Sequence, residues 1–438
     1  MNDHNLEMTA VERCNAYKCT AGEGLFGVGM GFFSSVSVLP LLLLSLGASE
    51  VQIGLLGSLF WAGWLLLQPL GLFLFGRRVR TKRLLVPWSL GFAGPTYLSI
   101  GLIVCLLAPS HRELCVVGVL GVLAVRVIGG GMTIPFWWDW QAMVFRREIR
   151  GRAIGMLAAA SPLGTALAAL AAGKVVESFR FPGNYVLLSV VSFVFIVVAL
   201  GVYWLVREPE SMSAPHPPTP ASHLLTRFRE SLRERNFRSY LVGRLLMTLG
   251  SGATAFYALF FVSGDGGGLT AGAVIMLSAL LPIAQCLVSY PLGLLGDRAG
   301  HKIGVVLGAV CQVAAILTAW LWSGPLACAT TFALVGAASG ASWVSHVNML
   351  FETCPHGSRT AHITLSNIVL APALWTVPVL TGWLISHIGL RSGIGLTLLP
   401  TVLGIAWLAL VVQEPREVEL TRQRRAAIDG QARGETAS

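Results

Sequence analysis

Charge is scarce in this chain. Of its 438 residues only 12% are Asp, Glu, Lys or Arg, while 54% are hydrophobic; a soluble domain carries about 25% charged residues. The shortage excludes a water-soluble globule and leaves a polytopic membrane protein. Also missing is a GxxxxGK[ST] phosphate loop, so ATP hydrolysis on this chain does not drive its work. No catalytic constellation appears, which reads as a non-enzyme without cofactors. The eight cysteines show neither CxxC nor ligand-like spacing with His, so they read as small core residues rather than a metal site. Cys105 and Cys115 flank one loop, and a disulfide between them is the alternative. The first twenty residues carry Glu7, Glu12, Arg13 and Lys18 with no apolar h-region. No cleaved signal peptide is expected, and the first span serves as its own insertion signal.

What the chain has is apolar length. Twelve apolar stretches run over approximately 22–46, 51–75, 84–108, 114–138, 153–176, 184–206, 239–263, 270–295, 303–322, 325–347, 362–387 and 392–412. At 1.5 Å per residue each crosses a hydrocarbon core of about 30 Å. The net charge of +10 could suggest nucleic acid, but its distribution answers differently. Of the 31 Lys and Arg, 25 fall in the tails and the even-numbered loops, four (Arg112, Lys174, Arg180, Arg391) in the odd-numbered loops and two (Arg126, Arg244) within spans. The positive-inside rule then puts both termini in the cytoplasm, in a plasma or bacterial inner membrane, with lipids and not nucleic acid as the partner of the basic charge.

The chain divides into a tail (1–21), a six-span half (22–206), a linker (207–238), a second six-span half (239–412) and a second tail (413–438). The linker opens with the polyproline spacer Pro215–Pro220. It then sets Leu224, Leu225, Phe228 and Leu232 on one helical stripe, with Arg227, Arg229, Arg233 and Arg235 elsewhere. That pattern predicts a basic amphipathic helix lying on anionic lipid; a solvated linker is the alternative. The halves repeat each other. Gly76–Arg83 aligns without gaps to the stretch from Gly296 when shifted by 220, VREPE at Val206–Glu210 answers VQEPRE at Val412–Glu417, and a shift of 209 sets Asp139 on Asn348 and Arg150 on Arg359.

The densest polar signal is Pro291–Lys302, PLGLLGDRAGHK, between the eighth and ninth spans. Gly293 and Gly296 allow close helix approach, Gly300 allows a positive φ, and Asp297, Arg298 and Lys302 need ionic partners at the rim. Through Gly293, Leu295, Asp297, Arg298, Gly300 and Lys302 this stretch resembles the GxLxDRxGxK signature of the major facilitator superfamily of secondary transporters. The resemblance covers the chain outside its tails. It implies an all-α fold of twelve helices in two halves related by an axis along the membrane normal. The first-half copy is degenerate: Arg77 replaces the acid and Arg80 the last glycine. The family's inner-gate logic implies pairs of Asp139 with Arg78 or Arg150, and of Glu352 with Arg298 or Arg359, formed when the cytoplasmic side closes. Ser161–Gly164, SPLG, keeps only part of the family's antiporter pattern.

Arg126 stands about 18 Å inside the fourth span, counted at 1.5 Å per residue from its outer end. A guanidinium there costs at least about 2.5 kcal/mol unless it faces water or a partner. No carboxylate sits at that depth in the first half, since Glu23 and Asp139 are near the rim. Three roles remain open for Arg126: substrate or coupling, bonding to carbonyls, or snorkelling. Arg244 is less deep. Thr248, Ser251, Thr254 and Tyr257 follow it at helical spacing and predict a polar stripe facing a cavity. Trp343 and His346 bring polar groups to the tenth span, the imidazole as a structural group or a proton carrier. Glu23 is either a boundary carboxylate or a proton-coupling group. Pro40 is a candidate kink in the first span. Arg126, Arg244, Tyr257, Trp343 and His346 are thus the candidate substrate residues.

The function these features imply is a secondary active transporter of a small anionic solute working by alternating access, with a coupling ion for which the proton is a candidate. Efflux of lipophilic drugs or lipids is the first alternative. A non-transporting receptor or scaffold on a transporter fold is the second.

Overall fold

The computed structural model describes residues 8–75, 82–208, 228–229, 232–353 and 359–415. The proline spacer of the linker, the expected amphipathic helix up to Arg227, and the basic loop with Arg77, Arg78 and Arg80 lie outside the described residues. All twelve expected passages contain helix, and among the described residues ten helices are long and apolar enough to cross a membrane.

The first passage differs from a single rod. A capping box starts it early: the Glu12 amide donates to Thr9 Oγ1 at 3.2 Å and the Thr9 amide to Glu12 Oε2 at 2.9 Å, so the helix runs Ala10–Gly31 and leads the chain up to the membrane. It breaks over residues 32–37 and resumes as Val38–Ser45. The interruption falls before Pro40, not at it. Pro40 sits in the first turn of the new segment, where its missing N–H costs nothing. The seventh passage is also broken, into Arg235–Gly250, a 3₁₀ turn Ser251–Ala255 and Tyr257–Val262. The expected regular stripe from Thr248 to Tyr257 is therefore not continuous. Thr248 and Ser251 turn their hydroxyls to the Arg244 and Thr248 carbonyls, at 2.9 and 2.8 Å.

Within the first half the first passage packs between the fifth and sixth, and the third against the fourth and sixth. Backbone-close contacts make this possible. A Cβ on Gly27 would stand 2.2 Å from the Ser161 carbonyl, and one on Gly164 would stand 2.2 Å from that of Gly24, so both positions require glycine. The two halves join through the second passage on the eleventh and the fifth on the eighth. The described contacts between them lie toward the end of the bundle remote from the termini. Gly54 meets the Pro378 carbonyl and Gly382 that of Glu50, while Gly173 and Gly272 face each other. Hydrogen bonds run from Ser58 Oγ to the Trp375 carbonyl (2.5 Å), Thr270 Oγ1 to Glu177 Oε1 (2.9 Å) and Ser278 Oγ to Ser37 Oγ (2.9 Å). Cys105 and Cys115 are free thiols.

At the terminus-bearing end each half is tied to itself by the same device. In the first, Glu208 accepts the Lys82 amide at 2.6 Å and the Trp140 indole N–H at 2.8 Å, while Lys82 Nζ donates to the Trp204 and Val206 carbonyls at 2.8 and 2.6 Å. In the second, Glu414 accepts the Lys302 amide at 2.9 Å and Lys302 Nζ donates to the Ala409 carbonyl at 2.8 Å. Asn15 with Arg207 and Asn236 with Gln413 repeat a reciprocal side-chain-to-backbone pair beside them. The glutamates of the repeated half-ends cap the third and ninth helices, and the lysines satisfy the last carbonyls of the sixth and twelfth.

Replacing Glu208 or Glu414 by Ala removes a charge-assisted cap, worth about 1.5–3 kcal/mol before solvent screening. Each variant is expected to lower the melting temperature of the purified protein by several degrees, and the two losses should add, because the sites are far apart. Melting curves that overlay the wild type would remove the staple from the account of stability.

Candidate transport site and gate

Arg126 is only 7% exposed. Its helix, Arg112–Val144, places it against the first and third passages, where Met30 Sδ contacts Nη2 and the Tyr97 ring lies 5.3 Å from Cζ. The Tyr97 hydroxyl donates to Met30 Sδ at 3.0 Å, and its ring stacks on Phe33 at 5.5 Å. An aromatic face offsets part of the charge, but thioether sulfur is a weak acceptor. Arg126 Nε is buried with no hydrogen-bond partner, and among the described residues no carboxylate pairs with the guanidinium. The fork is held in place by an apolar cradle with donor capacity left over.

The second half has its own polar cluster. The Tyr240 hydroxyl lies 3.1 Å from His346 Nδ1 and donates to the His346 carbonyl at 2.9 Å, inside a π-helical widening over Ser342–His346, a departure that commonly marks functional sites. Half-buried Arg244 lies one turn from Tyr240, close enough to both for its charge to be felt at each. Trp343 is 47% exposed. Tyr257 is buried at the remote end, in a core that includes Phe256, Phe260 and Phe261. The structure thus gathers Arg244 and His346 around Tyr240 but sets Tyr257 in the joined layer. Tyr97, Met30 and Tyr240 carry no sequence signal of their own, since each lies one to three passages away from the arginine or histidine it serves.

Of the gate residues, Asp297 and Arg298 end the helix Leu280–Ala299, and Gly300 follows with φ 89°. Gly293 meets only the Val344 side chain, 3.8 Å from where a Cβ would stand. Lys302 serves the staple described above. Glu352 ends the tenth passage, and His301 Nε2 lies 4.0 Å from its Oε1 and 4.0 Å from Asp297 Oδ1. The motif's histidine is the residue that reading by sequence passes over; its spacing of four from Asp297 was the available signal. In the first half Asp139 is exposed, and Arg150 Nη2 donates to the Phe145 carbonyl at 3.4 Å. Arg78 and the Arg359 side chain lie outside the described residues. A firmer pair stands nearby: Arg146 Nε donates to Glu12 Oε1 at 2.5 Å and Nη2 to Oε2 at 2.9 Å, a bidentate clasp. Glu23 accepts from Gln141 Nε2 at 2.9 Å. A cavity of about 370 Å³ at the rim, lined by Met8, Arg13, Ala16, Tyr17, Arg152 and Met156, involves none of the candidate substrate residues.

Two six-helix halves, joined at one end and carrying the buried Arg126 and half-buried Arg244 between their helices, have the build of a secondary transporter. The chain belongs to the major facilitator superfamily, whose family model matches residues 24–281 and 265–433. Among solved structures it resembles a bacterial homologue of the human lysosomal transporter Spinster in an inward-facing, unoccupied conformation (TM-score 0.68, 15% identity, 94% of this chain and 99% of that one). It also resembles the nucleoside transporter NupG (0.63, 12%, 92% and 99%) and the xylose transporter XylE from E. coli in a partially occluded inward-open conformation (0.64, 14%, 93% and 99%). At these identities the likeness is one of fold. No curated protein matches the sequence.

The Arg146 hydrogen bonds hold the Glu12 carboxyl below the ordinary glutamate range, against an opposing push from burial. Its folded value lies below its unfolded one, so the stabilisation is complete above the unfolded value and is lost as pH falls through the folded one. Arg146→Gln should melt lower than wild type at neutral pH, and the two should converge in acid. A difference that stays constant down to strongly acidic pH would assign the effect to packing instead.

Proposed function

We propose that this chain is a secondary active transporter that moves a small anionic solute by alternating access, with Arg126 as the anion's anchor. The single observation behind this is the guanidinium itself. It is buried, cradled by Met30 and Tyr97, has an unpartnered Nε and pairs with no carboxylate among the described residues. Such a group is costly at depth unless a ligand or water completes it, and its planar fork suits a carboxylate or phosphate through two parallel bonds. Cations would be repelled from the same place.

The reading extends to orientation and coupling. The basic loops put the terminus-bearing end in the cytoplasm; with the described contacts between halves at the remote end, the conformation is then open inward. Closure of that side would form the pairs of Asp139 with Arg78 or Arg150 and of Glu352 with Arg298 or Arg359, which exist in one state only and so bias the equilibrium, with Asp297 supporting the closed state. Glu23, held by an amide donor, is the candidate proton carrier.

Arg126→Ala should weaken binding of the transported anion about 10- to 100-fold, and Arg126→Lys, which keeps the charge and loses the fork, by less. Counterflow in proteoliposomes with a panel of anions, cations and neutral solutes measures this, with membrane insertion unchanged in both variants. Normal transport by Arg126→Ala, or a cationic substrate, would sink the assignment. For orientation, a cysteine at Ser110 should react with an impermeant reagent from outside the cell and one at Ser222 should not; the opposite pattern would invert the scheme.

A further inference from the structure

The cavity of about 370 Å³ at the rim lies apart from the candidate substrate residues and has a composition of its own. Arg13 and Tyr17 bring it a guanidinium and a phenol from the first two turns of the helix Ala10–Gly31, and Arg152 brings a second guanidinium from the start of Arg147–Ser178. Met8, Ala16 and Met156 make its apolar wall. Arg13 and Arg152 are both exposed, and neither forms an ion pair among the described residues. The carboxylate beside Arg13 in the chain, Glu12, is turned to other donors, the Thr9 amide and the Arg146 fork. Arg13 Nη2 makes a long bond to the Met8 carbonyl at 3.4 Å, which leaves its other donors open. Two cations facing one cleft focus a positive potential there and attract an anion between them.

The depth of the cavity narrows the kind of anion. The membrane-crossing part of the fifth passage begins at Ile149, so Arg152 stands about 5 Å inside its end at 1.5 Å per residue, where phospholipid head groups give way to acyl chains. Tyrosine at that level belongs to the aromatic belt, and thioether side chains adapt to a flexible neighbour. A free hydrated anion would use the two guanidiniums and gain nothing from the apolar wall. An anionic lipid uses both.

We propose that this cavity holds the head group of an anionic phospholipid, its phosphate bonded by Arg13 and Arg152 and the root of its acyl chains lying against Tyr17, Met8 and Met156. Basic pockets between membrane helices take lipid head groups by this chemistry, and an arginine fork can bond two phosphate oxygens at once. The site joins the first and fifth passages, which belong to one half and pack closely at Gly27 and Gly164. The lipid is therefore held by one body and not by the gap between the halves, and the site needs neither Arg126 nor the gate.

The test uses the full-length chain purified in a non-ionic detergent, with native mass spectrometry reading the affinity for the first lipid bound. Phosphatidylglycerol should bind about 25-fold more tightly than phosphatidylcholine, whose choline cation offsets its phosphate, at about fivefold for each arginine near the head group. Arg13→Gln and Arg152→Gln should each weaken phosphatidylglycerol about fivefold, and the double variant should bind both lipids alike. Arg238→Gln, which removes an exposed arginine from the other half, should keep the wild-type preference. Inorganic phosphate at millimolar concentration should leave bound phosphatidylglycerol in place. A wild type without the preference, or a double variant that retains it, overturns the site. Displacement by inorganic phosphate gives the cavity to a free anion and overturns the lipid. A loss in Arg238→Gln as large as in Arg152→Gln reduces the effect to general surface attraction and overturns the proposal as well. Should the double variant fail to fold, the single variants decide, and an unchanged preference in both is the overturning result.

Discussion

A charged side chain within a membrane is tolerated only where the protein supplies it with water, a partner or a π face, and this constraint on Arg126 organises the molecule around it. Desolvating a guanidinium in hydrocarbon is expensive. The first half answers with the Tyr97 ring at 5.3 Å and the Met30 thioether, neither of which neutralises the charge. The alternative of satisfying Arg126 fully with carbonyls is not what the helices deliver, since Nε is left without a partner. The site fixes the arginine by packing and leaves part of its donor capacity unused.

Alternating access, the mode of transport proposed above, requires two bodies that stay rigid while the contacts between them change. Rigidity comes from the ends. Each half closes on itself through a lysine and a glutamate, Lys82 with Glu208 and Lys302 with Glu414, and through a reciprocal asparagine pair. These contacts join the start of one helix to the end of another within a half, so rocking leaves them intact. Change is confined to what lies between the halves, where glycines at positions 54, 173, 272 and 382 let backbones meet with few side-chain bonds to break. Interfaces made of small residues separate with little desolvation of polar groups, unlike the charged rim at the opposite end.

The rim illustrates how one motif carries two duties. Lys302 is spent on the staple. Asp297 is exposed at 74% of its side chain, and His301 is sunk beneath it. Position in the loop, not residue type, sets Lys302 on the staple and leaves Asp297 at the surface. The degenerate first-half copy retains Lys82, the structural member, and has lost the acid; its staple is complete all the same.

The sequence alone determined the all-helical membrane fold and the membership of the family. Apolar length, charge placement and a motif of six fixed positions are all local or periodic properties that a linear chain displays. It also marked Arg126, because a lone charge in an apolar run is visible without any neighbour. Only the tertiary structure decided what that arginine touches, that the ring of Tyr97 and the sulfur of Met30 cradle it, that the first passage breaks before Pro40 rather than at it, and that Glu208 and Glu414 reach back across more than 100 residues to cap other helices. It decided, too, that His301 lies between two carboxylates. Contacts of this kind depend on which faces of separate helices meet, and that choice is made by packing across passages far apart in the chain, where sequence spacing carries no record of it.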